Sequence, residues 1–364
     1  MIVKEVTTVL EELAPLAYAE DFDNVGLLVG SYSQEVSGIL VTLDTLENVV
    51  DEAISNNCNL IVSFHPIIFS GLKKITGSTY VERVVIKAIQ HNISIYSMHT
   101  ALDNSKEGVN AKICEVLEIF DPEILIPQKN TIKKLTTYAP INTSEKIKKA
   151  LFEAGAGTIG NYSNCSFTTL GTGSFKAEND ANPTVGKIGE TNSEEEVQIN
   201  ITFSASVEKK VMNALFKNHP YEEVAYEILT LENTNQNIGM GMIGTLKTPM
   251  RENEFLKFLQ KRMNADGIRH SKLLNRNIEK VAVLGGSGAF AIKAAKAAGA
   301  DILITADVKY HQFYEAESKI VIADIGHFET EQFTKDLLVD YLTKKIPNFA
   351  IRLSESKTNP IKYL

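Results

Sequence analysis

The apolar positions of this chain change period as it proceeds. Val6, Val9, Leu10, Leu13 and Leu16 recur at helical spacing and predict an amphipathic helix over 3–18. A polar loop at 20–25 then leads into a short strand ending at Gly30. Short runs rich in β-branched residues follow at 37–44, 60–64 and 93–98, separated by helical patterns at 46–56 and 80–91, with another at 109–117. Strands alternating with helices of this length read as βαβ units and a largely parallel sheet.

Near residue 127 the pattern changes. A strand at 131–140 and a helix at 143–154, stopped by Gly155 and Gly157, precede a strand at 165–177. A polar stretch, 178–196, reads as a long exposed loop; a strand at 197–204, a helix at 207–218 and a strand at 223–231 complete a β-α-β-β-α-β order. That order is the ferredoxin-like unit, so 128–233 is expected to be an inserted domain. The chain returns through a Gly/Met segment at 235–244 and a helix at 252–263. A strand at 280–284 opens onto Gly285-Gly-Ser-Gly288 and an Ala-rich helix at 290–298. Strands at 301–305 and 319–324 and a final helix at 330–344 close the chain. The expected fold class is α/β: a discontinuous outer domain, 1–127 with 234–364, has two α/β halves around a mixed or parallel sheet and surrounds the α+β insertion.

Composition narrows the functional classes. The 364 residues are 44% hydrophobic and 23% charged, a globular balance. A net charge of −8 disfavours a general nucleic-acid binder. Cys58, Cys114 and Cys165 are widely spaced, without CxxC, and read as free thiols in a reducing compartment. No apolar run approaches the ~20 residues of a membrane helix, and the N-terminus lacks signal-peptide character. A soluble, cytoplasmic protein is expected.

The chemistry collects at strand ends. Asp44, His65, His99 with Asp103, the Gly285–Gly288 loop, Asp307 and His327 each follow a predicted strand. Open parallel α/β sheets bind ligands at that edge. His327 and Glu331 stand four apart on a helical pattern, one turn from each other on one face. With His65 and Asp103 they supply two imidazoles and two carboxylates, a set that suits zinc, manganese or ferrous iron better than calcium or magnesium. Carboxylates can also bridge two ions about 3.5–4 Å apart. His99 is a further ligand or an orienting residue. Plainer readings stand beside these. His65-Pro66 is also a strand-ending turn, Asp103 a turn cap, and His327 with Glu331 a surface pair. The glycine loop is either a phosphate cradle or a tight turn. Lys309 and His311 either meet an anionic substrate or begin the next helix. His219-Pro220 reads as structural.

Several segments taken together resemble a known family. They are Asp23-Asn-Val-Gly-Leu-Leu-Val-Gly30, Ser63-Phe-His65-Pro-Ile-Ile-Phe69, His99-Thr-Ala-Leu-Asp103 with Gly108-Val-Asn110, Gly285-Gly-Ser-Gly288, Thr305-Ala-Asp307-Val-Lys-Tyr-His311 and Gly326-His327-Phe-Glu-Thr-Glu331. In that order they resemble the GTP cyclohydrolase 1 type 2 homologues, the family of the NGG-one-interacting factor. Asn218-His-Pro-Tyr-Glu-Glu223 is similar to the signature of the PII/CutA-like middle domain of some bacterial members. The resemblance implies a ring-shaped homohexamer capped by the insertions, and a dinuclear metal centre at His65, Asp103, His327 and Glu331. Two divalent ions per subunit are expected, zinc first and manganese or iron as alternatives. The family often has two consecutive histidines before the proline; here the first is Phe64, which removes one nitrogen ligand.

Two functions follow as expectations. One is a metal-dependent hydrolase acting on a purine nucleotide, GTP being the named candidate. His99 or His311 would move protons, and Lys309 or the glycine-loop amides would meet phosphate. The other is a non-catalytic, metal-holding hexameric sensor or scaffold with the insertion as a regulatory lid.

Overall fold

A computed structural model describes all residues, Met1–Leu364, and divides into two compact units, Met1–Pro127 with Gln236–Leu364, and Gln128–Asn235.

The first unit holds two sheets rather than the single sheet that the strand pattern suggests. One is five-stranded, in the order Gly26–Val29, Ser94–Ser97, Leu60–Ser63, Ile39–Thr42, Ile351–Leu353. All its neighbours are parallel except the edge strand Gly26–Val29. The other is six-stranded, in the order Arg269–His270, Val321–Asp324, Ile302–Ala306, Asn277–Ser287, Gly239–Arg251, Ile119–Pro127. Its middle three strands are parallel and the outer pairings antiparallel.

The period of two assigns each parallel strand to two cores, which is why these strands read as unbroken apolar runs. Val41, Val62 and Tyr96 of the first sheet and Val281, Val283, Ile302, Ile304 and Val321 of the second enter one large shared core. It also receives Val6 and Leu10 of helix Val3–Leu13 and Leu338 and Leu342 of helix Thr334–Lys345. Leu40, Ile61 and Ile95 point the other way, onto helices Glu47–Ser55 and Tyr80–Gln90. Ala282, Leu303 and Ile322 meet helix Ile292–Ala297 behind the second sheet. No helix is long and apolar enough to cross a membrane.

Three differences from the pattern stand out. The first helix stops at Leu13 instead of residue 18, because Ala14 precedes Pro15 and turns extended (φ −144°). Strands Ile119–Pro127 and Gly239–Arg251 are absent from the sequence reading. They pair along their length, Gly239 with Pro127 and Leu246 with Ile119, across more than one hundred intervening residues. The third difference lies in the second unit. There the predicted loop 178–196 ends at Glu190, since strand Thr191–Ser204 begins early and pairs with the whole of Phe167–Lys176.

The second unit is a wholly antiparallel four-stranded sheet with helices Ile141–Glu153 and Glu208–Asn218 in β-α-β-β-α-β order. Leu135, Ile199, Ile201 and Phe203 pack on Ile147, Leu151, Val211 and Leu215, all on one face of the sheet.

Candidate metal centre

The parallel strands of both sheets end where the polar residues begin. Leu60–Ser63 delivers His65, whose N–H donates to the Leu43 carbonyl at 2.9 Å and whose carbonyl accepts from Ser63 Oγ at 2.8 Å. Ser94–Ser97 delivers His99, whose N–H donates to the Phe64 carbonyl at 2.9 Å. In the second sheet, Ile302–Ala306 ends at Asp307, held at φ +56°, where side chains other than Gly, Asn and Asp are strained. Val321–Asp324 ends before Gly326, whose φ of +101° turns the chain so that His327 opens the short helix His327–Glu331.

Each of the three histidines gives its Nδ1–H to a carboxylate. His65 donates to Asp44 at 2.8 Å, His99 to Asp23 at 2.8 Å, and His327 to Asp307 at 2.6 Å. This fixes the ring orientation, and in His65 and His327 it leaves Nε2 facing Glu331, the arrangement metal-binding histidines adopt. Between two of those Nε2 atoms stands Glu331, 3% exposed. Its Oε2 lies 3.0 Å from His65 Nε2 and 3.2 Å from His327 Nε2. The donor atoms of His65, His327 and Glu331 lie within 4.8 Å of one another.

Two buried oxygens here lack a well-aligned hydrogen bond: Asp103 Oδ1, and Glu331 Oε2, which has only the ion-pair approaches of the two imidazoles. Orphaned buried acceptors are costly, and a cation is one way of satisfying them. The residues therefore fit a divalent ion, by donor chemistry and by their unmet oxygens. Asp103 stands outside the three-residue group, but its buried carboxylate feels Glu331 and both histidines electrostatically. Burial, then the Glu331 charge, push it above the usual carboxylate range. Burial would lower His65, yet its contacts with Asp44 and Glu331 outweigh that and push it up to about 10. His327 follows the same balance, with Glu331 and Asp307 raising it to about 9. Burial would raise Glu331, but the two imidazoles hold it down to about 2. Without a metal, the centre is thus a buried carboxylate neutralised by protonated histidines.

Of the other predicted residues, Asp307 and His99 sit within this network. Lys309 and His311 are exposed on the following turn, where the His311 ring meets Tyr310 and Tyr314. The glycine loop is a close-packed turn rather than an open phosphate cradle, because its first two amides are already used. Gly285 N donates to Asn110 Oδ1 at 3.0 Å and Gly286 N to Thr330 Oγ1 at 2.9 Å. At Gly286 (φ +64°) a Cβ would stand 2.3 Å from Glu331 Oε1, so the loop is shaped around that carboxylate. His219 is structural, bonded at Nε2 to the Tyr138 carbonyl. The orienting roles of Asp23 and Asp44 escaped the sequence reading. Asp44 carried the signal of a strand-end acid; Asp23 stood only at the head of the family-like segment 23–30, with nothing to link it to His99, 76 residues away. Phe64 is fully buried, its ring 4.9 Å from His65 and 5.6 Å from His99. Exposed Phe69 reaches His99 from outside at 6.1 Å.

The model of the DUF34/NIF3 family (NGG1p interacting factor 3) matches residues 1–360. The chain belongs to this family. A Bacillus subtilis relative called GTP cyclohydrolase 1 type 2 homolog is 38% identical over 367 residues, covering 99% of this chain and 98% of the relative. A relative of the same description from Staphylococcus epidermidis is 34% identical over 368 residues, covering both completely. The crystal structure of a Bacillus cereus protein related to NIF3 superposes with a TM-score of 0.85 at 35% identity, over 100% of this chain and 99% of that one. The family match thus spans both units, and the α/β architecture with mixed sheets is that of a NIF3 protein.

Proposed function

We propose that this NIF3-family chain holds divalent metal at His65, Asp103, His327 and Glu331 and is a metal-dependent hydrolase of a purine nucleotide. The observation that carries the reading is the convergence of buried Glu331 Oε2 with two imidazole Nε2 atoms, 3.0 and 3.2 Å away, whose far nitrogens are pinned by Asp44 and Asp307. A divalent ion held there supplies Lewis acidity and water activated near neutral pH. The chain's own part is to keep both Nε2 atoms oriented, to exclude water with Phe64, and to place His99, steadied by Asp23, beside His65. GTP is the substrate tested first, because relatives bear the name GTP cyclohydrolase 1 type 2 homolog. Two ions per subunit, zinc foremost, a homohexamer and a PII-like character for the inserted unit belong to the same proposal.

A second reading, a metal-holding sensor or scaffold without turnover, is favoured by one feature. Phe64 occupies with a buried ring the place where the resemblance expects a second histidine.

One paired assay separates them. Wild type and His327→Ala are analysed for bound metal by mass spectrometry and for mass by light scattering. Each is then incubated with GTP in zinc, manganese or ferrous iron and followed by liquid chromatography with mass detection. Metal-dependent ring opening lost in His327→Ala supports the hydrolase. Bound metal with unchanged GTP supports the sensor or scaffold. Equal metal in wild type and variant refutes the site.

A further inference from the structure

The inserted unit contains a cavity of its own. Helices cover one face of its sheet; on the other face the segments 181–185 and 221–225 flank a half-open pocket of about 510 Å³ above strands Phe167–Lys176 and Thr191–Ser204. That volume falls in the range of small-molecule sites, about 300–1,000 Å³.

The walls are built before any ligand arrives. His219 donates from Nε2 to the Tyr138 carbonyl at 2.9 Å and accepts at Nδ1 from the Tyr221 N–H at 3.1 Å, so it is neutral and fixed in one tautomer. Tyr221 Oη–H donates to Glu196 Oε1 at 2.8 Å. Asn182 N–H donates to Glu222 Oε2 at 2.8 Å, and Thr184 Oγ1 to the Pro220 carbonyl at 2.9 Å. These bonds tie both walls to each other and to the sheet.

The floor is kept low by glycine. A Cβ on Gly171 would meet nothing within 4 Å, and one on Gly173 would stand 2.2 Å from Glu196 Oε2. Glu196 therefore lies flat across the floor with one oxygen bonded to Tyr221.

The lining is chemically one-sided. It carries the aromatic rings of Tyr138, Phe175 and Tyr221 and the carboxylates of Glu196, Glu222 and Glu223, with no lysine, arginine or histidine. Phosphate or carboxylate ligands would meet like charge without a compensating donor cation. Aromatic faces beside carboxylates are instead complementary to an ammonium group, through cation–π attraction and charge-assisted hydrogen bonds. We propose that this cavity binds a small organic ammonium compound, independently of the metal centre.

The test is calorimetric titration of the full chain with spermidine and with choline, and with ATP as the anionic comparison. Saturable binding of one of the cations, one per chain, is expected, with no ATP binding in the cavity. Glu196→Gln keeps an acceptor for Tyr221 and removes the charge; it should weaken binding at least about tenfold. Gly171→Val fills the floor without changing any charge and should weaken binding as much, which guards against a folding defect in the first variant. Glu145→Gln, on an exposed helix surface, and His327→Ala should leave affinity unchanged. The proposal is overturned if neither cation binds, or if ATP binding is lost in Gly171→Val. It is equally overturned if Glu145→Gln weakens binding as much as Glu196→Gln, which would mean diffuse attraction to an acidic chain.

Discussion

Asp44→Asn probes the proposed metal site through a side chain that is not itself a proposed ligand. The substitution keeps an oxygen that accepts from His65 Nδ1, so the ring orientation survives, but the negative charge behind the imidazole is gone. His65, raised to about 10 by Asp44 and Glu331, becomes a poorer base and a poorer donor at Nε2. Removing the carboxylate partner of a ligating histidine weakens metal affinity by about 10–100-fold, or about 1.4–2.7 kcal/mol. The Asp44 side chain is 29% exposed, and solvent screening places the expected loss near the low end, about tenfold. Asp307 does the same for His327 but is 48% exposed, so Asp307→Asn should cost less. The assay is zinc competition against a chromogenic chelator at fixed pH and ionic strength, with a thermal midpoint to confirm folding. Zinc affinity within twofold of wild type for Asp44→Asn, or a larger loss for Asp307→Asn than for Asp44→Asn, would refute the reasoning.

Three further outcomes are expected. Gly286→Ala combines a left-handed backbone with a Cβ 2.3 Å from Glu331 Oε1; it should cost about 1–3 kcal/mol and displace the carboxylate, lowering both the thermal midpoint and zinc binding. Phe64→His removes a fully buried ring and with it about 1.5–3 kcal/mol of apolar burial. In denaturant titrations zinc should stabilise this variant more than wild type, and equal stabilisation would mean that position 64 does not face the metal. Chelator-treated protein should lose stability as pH rises. The folded-state values of His65 and His327, about 10 and about 9, lie above the unfolded value of about 6.5. Their contribution is therefore complete below that value and fades as pH climbs through 9 and 10. Glu331, held down to about 2, contributes above its unfolded value of about 4.3 and is lost only as pH falls through 2. Denaturation midpoints at pH 6 and pH 9 check the sign, and a higher midpoint at pH 9 would contradict it.

The sequence by itself determined which residues could act and where strands would end. The β-branched runs before Asp44, His65 and Asp307 mark strand ends because apolar burial on both faces stops where a polar side chain must reach solvent or a partner. The four-residue spacing of His327 and Glu331 fixes their common face because helical geometry is local. Tertiary structure alone decided what joins what. The division of the outer unit into two sheets depends on which strands find one another. Strands Ile119–Pro127 and Gly239–Arg251 are one case: a Pro-interrupted run and a Gly/Met run have little intrinsic strand character and become strands by pairing with each other. The clasps of Asp23 on His99 and Asp44 on His65 also join residues far apart in the chain, and no period encodes such distances. The same holds for Gly286, whose absent side chain looks like a phosphate loop in sequence and is, in three dimensions, the space that Glu331 occupies.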